Sequence, residues 1–153
     1  MSSGTAGALR PTPIPSAETL RSDPVAQAFV LMRVAFTVAP ILFGLDKFAE
    51  VLTNNWAAYL APEFNDLLPG SADDAMLLVG AIEIVAGIVV AFAPRFGGYL
   101  VAAWLGGIIV NLLLAGGYGD IALRDFGLLL GALTLTRLAL AVQRRDATSG
   151  SHM

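Results

Sequence analysis

The chain has 153 residues, 56% of them hydrophobic and 14% charged, with a mean hydropathy of +0.72 and a formal net charge of -3 at pH 7. A soluble domain carries roughly 25% charged residues, so this balance points to an integral membrane protein. Cysteine is absent, which excludes disulfides, Fe–S clusters and thiol chemistry within the chain, and no basic patch with interleaved aromatics supports nucleic-acid binding.

Residues 1–22 lack an apolar core and are rich in Ser, Thr, Pro and Gly, so they read as a mobile cytoplasmic tail and not as a cleavable signal. Asp23-Pro24 has the form of a helix start, with Asp as N-cap and Pro in the first helical position. The first span, about 25–46, runs VAQAFVLMRVAFTVAPILFGLDK with its flank, and about 20 apolar residues match a hydrocarbon core of about 30 Å. Arg33 lies near its middle, where an unpaired guanidinium costs on the order of 2.5 to 3.5 kcal/mol. At 100° per residue, Arg33, Thr37, Pro40, Gly44 and Lys47 form a narrow stripe of polar and small residues, which belongs against other helices and away from lipid. Pro40 removes one ladder hydrogen bond and is expected to kink the span.

Beyond Lys47, Phe48, Val51, Leu52, Trp56, Tyr59 and Leu60 recur at helical spacing among polar residues. This predicts an amphipathic segment at the outer membrane interface, ended by Pro62, with Pro69-Gly70 closing the loop. Ser71 and Asp74 form a capping-box pattern ahead of a second span, about 75–92, with Glu83 near its midpoint. Pro94-Arg95 turns the chain into a third span, about 97–114, containing Asn111. The GGYG loop and a possible N-cap at Asp120 introduce the fourth, about 121–142. Residues 144–153 read as a disordered tail, and the terminal GSHM, which holds the only histidine, His152, has the form of a vector-derived remnant. A metal site would then have no imidazole to use.

These elements predict an all-α protein, an integral membrane four-helix transmembrane bundle with an outer interfacial amphipathic segment. Arg10, Arg21, Arg95, Arg144 and Arg145 fall on one side and Lys47 and Arg124 on the other, so the positive-inside rule puts both termini in the cytoplasm. Small-xxx-small pairs at Gly98/Ala102, Ala103/Gly107 and Gly127/Gly131, with Gly80 and Gly87 flanking Glu83, fit close helix packing.

Antiparallel first and second spans can bring Arg33 and Glu83 to similar depth, which suggests a buried ion pair; the alternatives are that each pairs elsewhere or that Glu83 is protonated. Asn111, Thr134 and Thr136 are placed either to hydrogen-bond between helices or to line a cavity, and Arg137 to snorkel to the cytoplasmic interface. Asp46, Lys47, Arg124 and Asp125, with Trp56 and Tyr59, are expected near the outer interface as an ion network or as a functional site.

Arg33 followed by FGLDK at Phe43 to Lys47, AIEIVAGIVV at Ala81 to Val90, and RDFGLLLGALTL at Arg124 to Leu135 occur in an order and spacing that resembles the DoxX-like (DoxD/DoxX) family of small four-helix membrane proteins. The resemblance covers about Phe29 to Leu140. It implies the fold and an interior polar site at Arg33, Lys47, Glu83 and Asp125. The family's name comes from a membrane subunit of thiosulfate:quinone oxidoreductase, and most members have no assigned reaction. The resemblance therefore implies an accessory or anchor subunit of a quinone-linked redox assembly in the bacterial inner membrane. This chain alone would bind no cofactor unless it holds a quinone, and the redox centre would sit in a partner. A non-catalytic scaffold docking through the outer segment, and a small proton-coupled transporter titrating Glu83 as a homo-oligomer, are the alternatives.

Overall fold

The computed structural model describes residues 12–67 and 70–150. Among these residues the secondary structure is entirely helical. Four helices are long and apolar enough to cross a membrane: α2 (Pro24–Ala49), α4 (Ala72–Phe92), α5 (Pro94–Ala115) and α6 (Gly119–Gly150), the last qualifying over Gly119–Thr148. The chain is a multi-pass membrane bundle. Short helices α1 (Ala17–Ser22) and α3 (Pro62–Asn65) and a 3-10 turn at Trp56–Tyr59 complete the described chain.

Local chemistry sets most of the boundaries. Asp23 caps α2 through its Oδ1, which accepts from the Val25 N–H at 2.9 Å, with Pro24 in the first turn. Ser71 and Asp74 complete a reciprocal capping box at α4. Helix α2 continues through Pro40 and ends where Glu50 adopts left-handed backbone, φ 53°. Ala93 closes α4 and opens α5, so the second and third spans meet in a one-residue corner. Asp120 sits in the first turn of α6 and is not its cap.

Helices α2 and α4 pack as an antiparallel pair, and so do α5 and α6; α2 with α6 and α4 with α5 complete the ring. The first pair is set by glycines. A Cβ on Gly44 would lie 2.5 Å from the Gly80 carbonyl oxygen, and one on Gly87 would lie 2.7 Å from that of Thr37. Backbones approach this closely only where side chains are missing. The polar and small stripe of α2 thus lies on α4. Gly98 plays the same part between α5 and α6, 2.7 Å from the Ala132 oxygen by the same measure. Ala103 and Gly107 are exposed, as is Gly127, so these members of the expected small-residue pairs do not join helices within the chain.

The apolar core occupies the half of the bundle nearest the chain termini. Phe29, Phe36, Ala86, Val90, Val101, Ala102, Leu135, Ala139 and Val142 meet there. Thr136, fully buried, donates to the Arg95 carbonyl at 3.3 Å, and exposed Thr134 bonds back to its own helix at Leu130. Arg137 is exposed, near the terminal end.

Two stretches read as tails are structured where they are described. Thr12 is buried: its N–H donates to Phe92 O at 3.4 Å, its carbonyl accepts from Arg33 and its Oγ1 accepts from Gln143. Residues 17–22 form α1, and Arg145 of α6 pairs with Asp23. Hydrogen bonds to three helices fix what composition alone marks as mobile. Helix α6 likewise continues past Val142 to Gly150. Residues 1–11 and 151–153, including His152, lie outside the described residues.

A Gly44→Val substitution is expected to force α2 and α4 apart and cost about 1–3 kcal/mol. Gly127→Ala, where a Cβ would meet nothing within 4 Å, is expected to be neutral or stabilising by up to about 1 kcal/mol. Denaturant unfolding in micelles followed by circular dichroism checks both. The Val25 N–H, together with the Arg145 guanidinium, holds the Asp23 carboxyl below its ordinary value of 3.8 against an opposing contribution from burial. A depressed carboxyl stabilises above its unfolded value and loses that contribution as pH falls through the lower folded value. Amide exchange at Val25 and Ala26 should therefore accelerate, relative to intrinsic rates, below about pH 3.8; in Asp23→Asn this extra acceleration should be absent.

Candidate functional site: an acid–base pair inside the loop half of the bundle

Lys47 and Glu83 form the ion pair at the heart of the site, with Nζ to Oε2 at 2.7 Å and side chains 5% and 12% exposed. Their meeting follows from helix direction. Side chains lean toward the N-terminus of their own helix. Lys47 therefore leans from the loop end into the bundle, and Glu83, on an antiparallel helix, leans up toward the loop end. A Cβ on Gly80, one turn before Glu83, would lie 3.0 Å from Lys47 Cβ, so the two residues start about one turn apart in level and two long side chains close that gap.

The same geometry separates Arg33 from Glu83, so the expected pair between them does not form. Helix α2 overhangs the end of α4, which leaves Arg33 level with Ala91, and its side chain leans away from Glu83. The guanidinium instead donates through Nε and Nη2 to the Ala91 carbonyl, the Nε bond at 3.1 Å, and through Nη1 to Thr12 O at 2.9 Å. It lies 5.7 Å from the Phe29 ring centroid. Ala91 is in the last turn of α4, where carbonyls lack intrahelical partners and the helix dipole favours a cation. Arg33 is a capping side chain at the terminal end and takes no part in the site.

Over Lys47 lies Trp56, its ring centroid 4.0 Å from Nζ. Asp46 holds it there. Asp46 Oδ2 accepts from Trp56 Nε1 at 3.1 Å, and Oδ1 accepts from the Val51 and Leu52 N–H groups at 3.0 and 2.8 Å. Three donors satisfy a carboxylate that is only 5% exposed. The outer amphipathic segment is not one regular helix: this carboxylate folds residues 50–56 into a tight cap, and Pro62, expected to end the segment, begins α3. Proline supplies the fixed φ that a first helical turn accepts.

Asn111, expected to hydrogen-bond between helices or line a cavity, joins α5 to the segment that carries the 3-10 turn. Its Oδ1 accepts from Ala61 N–H at 2.8 Å and its Nδ2 donates to Tyr59 O at 2.6 Å, clamping the cap onto α5. Tyr118 of the GGYG loop donates to Ala58 O at 3.0 Å and packs on Tyr59 at 5.1 Å between centroids. Tyr59 also lies 6.0 Å from Trp56.

Asp125 on α6 is buried, beside the exposed Arg124, and within electrostatic reach of Glu83. Arg124 makes no ion pair among the described residues. Trp104 on α5, which the sequence reading passed over, presents its buried indole N–H toward Glu83 without completing a hydrogen bond of normal geometry. A tryptophan in mid-span was the available signal, because a buried indole N–H needs a partner. The structure thus brings Lys47, Glu83, Asp46, Trp56, Trp104 and Asp125 together, uses Asn111 and Tyr59 to hold the roof, and sends Arg33 elsewhere. No group of three or more His, Asp or Glu side chains suited to a metal ion occurs among the described residues.

Removing one partner of the buried pair, as in Lys47→Leu or Glu83→Leu, is expected to cost about 3–5 kcal/mol, and the double variant markedly less than the sum. Denaturant unfolding in micelles measures the cycle. Asn111→Leu should release the cap while leaving the four helices folded. Loss of its bond to the Ala61 N–H, about 1 kcal/mol or more, should speed exchange at that amide by roughly fivefold or more.

A scan against protein-family models and searches of curated proteins and of solved structures find no match to this chain.

Proposed function

We propose that the protein is a membrane accessory subunit of a quinone-linked redox assembly, contributing an intramembrane polar site while a partner carries the electrons. The observation that supports this best is the Lys47–Glu83 pair, a donor and an acceptor held inside the bundle beneath a tryptophan roof. The donor set fits a quinone: an ammonium can hydrogen-bond a carbonyl oxygen, and a carboxylate can accept from a hydroxyl. A bound quinone would supply two-electron redox chemistry, and the chain's own groups would orient its head and hold a proton. With cysteine absent and the single histidine terminal, this reading assigns the redox centre to the partner. The sequence resemblance to the DoxX-like family supports the same reading, under which both termini lie on the cytoplasmic side of a bacterial inner membrane.

Capture of the tagged full chain from its native membranes is expected to bring down a flavin- or metal-containing partner with quinone reductase activity. That activity should fall in Lys47→Gln while the partner is still captured. Repeated isolation of the chain alone would overturn the proposal. A second reading, a scaffold that docks its partner through the cap, is favoured by how firmly Asp46, Asn111 and Tyr118 tie that cap down. Deleting residues 54–67 should abolish capture under the scaffold reading; under the first reading, Lys47→Gln should lower activity without affecting capture.

A further inference from the structure

The bundle binds Thr12 in the manner of a ligand. Each of its three polar groups meets one complementary group, and the three partners come from three different long helices. Its N–H donates to the Phe92 carbonyl at the end of α4 at 3.4 Å, its carbonyl accepts from Arg33 Nη1 of α2 at 2.9 Å, and its Oγ1 accepts from Gln143 Nε2 of α6 at 3.0 Å. Only 3% of the residue is exposed. The segment after it is held far less closely. Pro13, Ile14, Pro15 and Ser16 line a cavity of about 420 Å³ that Ala26 of α2 and Val142 of α6 also line, and Ile14 is 72% exposed.

The sequence suits such a binding mode. Thr12 stands between Pro11 and Pro13, and Pro15 follows. Proline has no N–H, so the stretch from Pro11 to Pro13 carries one backbone donor, and that donor is bonded. A residue ahead of proline is also restricted to extended backbone, so little conformational freedom is lost on docking. The receiving groups depend on an occupant. Arg33 makes no ion pair among the described residues, and Phe92 closes α4, where carbonyls lack intrahelical partners. Without Thr12, the Phe92 carbonyl, one guanidinium nitrogen and the Gln143 amide would each lose a partner beside the apolar core. Whatever replaces Thr12 must offer one donor and two acceptors in the same arrangement.

We propose that the terminal end of the bundle is a binding site for an extended, proline-flanked protein segment carrying a threonine, and that residues 12–15 are its built-in, displaceable occupant. A partner protein presenting the same pattern takes the place of this strap. The tether through α1 keeps the strap near the site at high effective concentration. A partner's segment therefore competes only where the strap is weakened or the partner holds the bundle by a second contact. The site lies at the opposite end from Lys47 and Glu83 and needs neither a quinone nor a redox partner.

The chain has no cysteine, so Ile14→Cys gives a single site for a nitroxide label on the full chain in lipid nanodiscs. The label is expected to be restricted while Thr12 is in place and more mobile in Thr12→Pro, which removes the N–H and the hydroxyl together. Thr12→Gly, which loosens the strap and removes the hydroxyl, takes its place should circular dichroism of Thr12→Pro show loss of helix. A fluorescent peptide of residues 8–16 should bind the released chain saturably and the chain with Thr12 intact about tenfold more weakly or worse, because the tethered strap competes. The same peptide with Thr12→Val should bind the released chain about fivefold more weakly, the loss expected for one hydrogen bond, and Gln143→Leu should erase that preference. A label that stays restricted in the variant used overturns the proposal. So does a peptide that fails to bind the released chain, binds the chain with Thr12 intact equally well, or does not distinguish threonine from valine.

Discussion

The close approach of α2 to α4 governs the rest of the molecule. Gly44 against Gly80, and Gly87 against the Thr37 backbone, fix the sliding register of the two helices, because a Cβ at any of these positions would collide with the facing helix. Register then decides which polar groups share a level. It puts Arg33 beside the last carbonyls of α4 and brings Lys47 within reach of Glu83. Moved by a turn, about 5.4 Å, neither contact would survive, and the charges of Arg33, Lys47 and Glu83 would lose these partners at membrane depth.

That register divides the bundle by polarity. The half nearest the termini is packed with Phe, Leu, Val and Ala and sealed by Arg33, Thr12 and Gln143. The half nearest the loops gives up part of its apolar packing to charged and indole groups. A buried ion pair is a poor source of net stability, because desolvation offsets most of its attraction. The stability of the fold therefore rests on the terminal half, and the loop half is free to hold polar chemistry.

The cap over this polar half is built by side chains that meet backbone. Asp46 gathers two N–H groups and an indole, Asn111 takes a donor and an acceptor from the 59–61 backbone, and Tyr118 takes Ala58 O. A segment of this length in irregular conformation has many backbone groups to satisfy near an apolar medium, and these three side chains supply partners that regular helix would have provided internally.

Composition and periodicity were enough to determine four apolar spans, the Asp23-Pro24 start, the Ser71–Asp74 capping box and the stripe on the first span, since each depends on residues within a turn or two of one another. That Glu83 lies inside the bundle was also legible, because an ionisable group at membrane depth must be sheltered; Lys47 and Asp125, which their positions put near the outer interface, are buried as well. Which cation meets which acid was not legible. That choice depends on the overhang of α2 past α4 and on the opposite lean of side chains on antiparallel helices, and both exist only once the glycine contacts have set the register. The same holds for Asn111, which reaches backbone about 50 residues away, and for Thr12, which meets the Phe92 carbonyl about 80 residues away and the Arg33 and Gln143 side chains. Backbone carries no signature of which side chain will reach it, so only the tertiary structure could assign them.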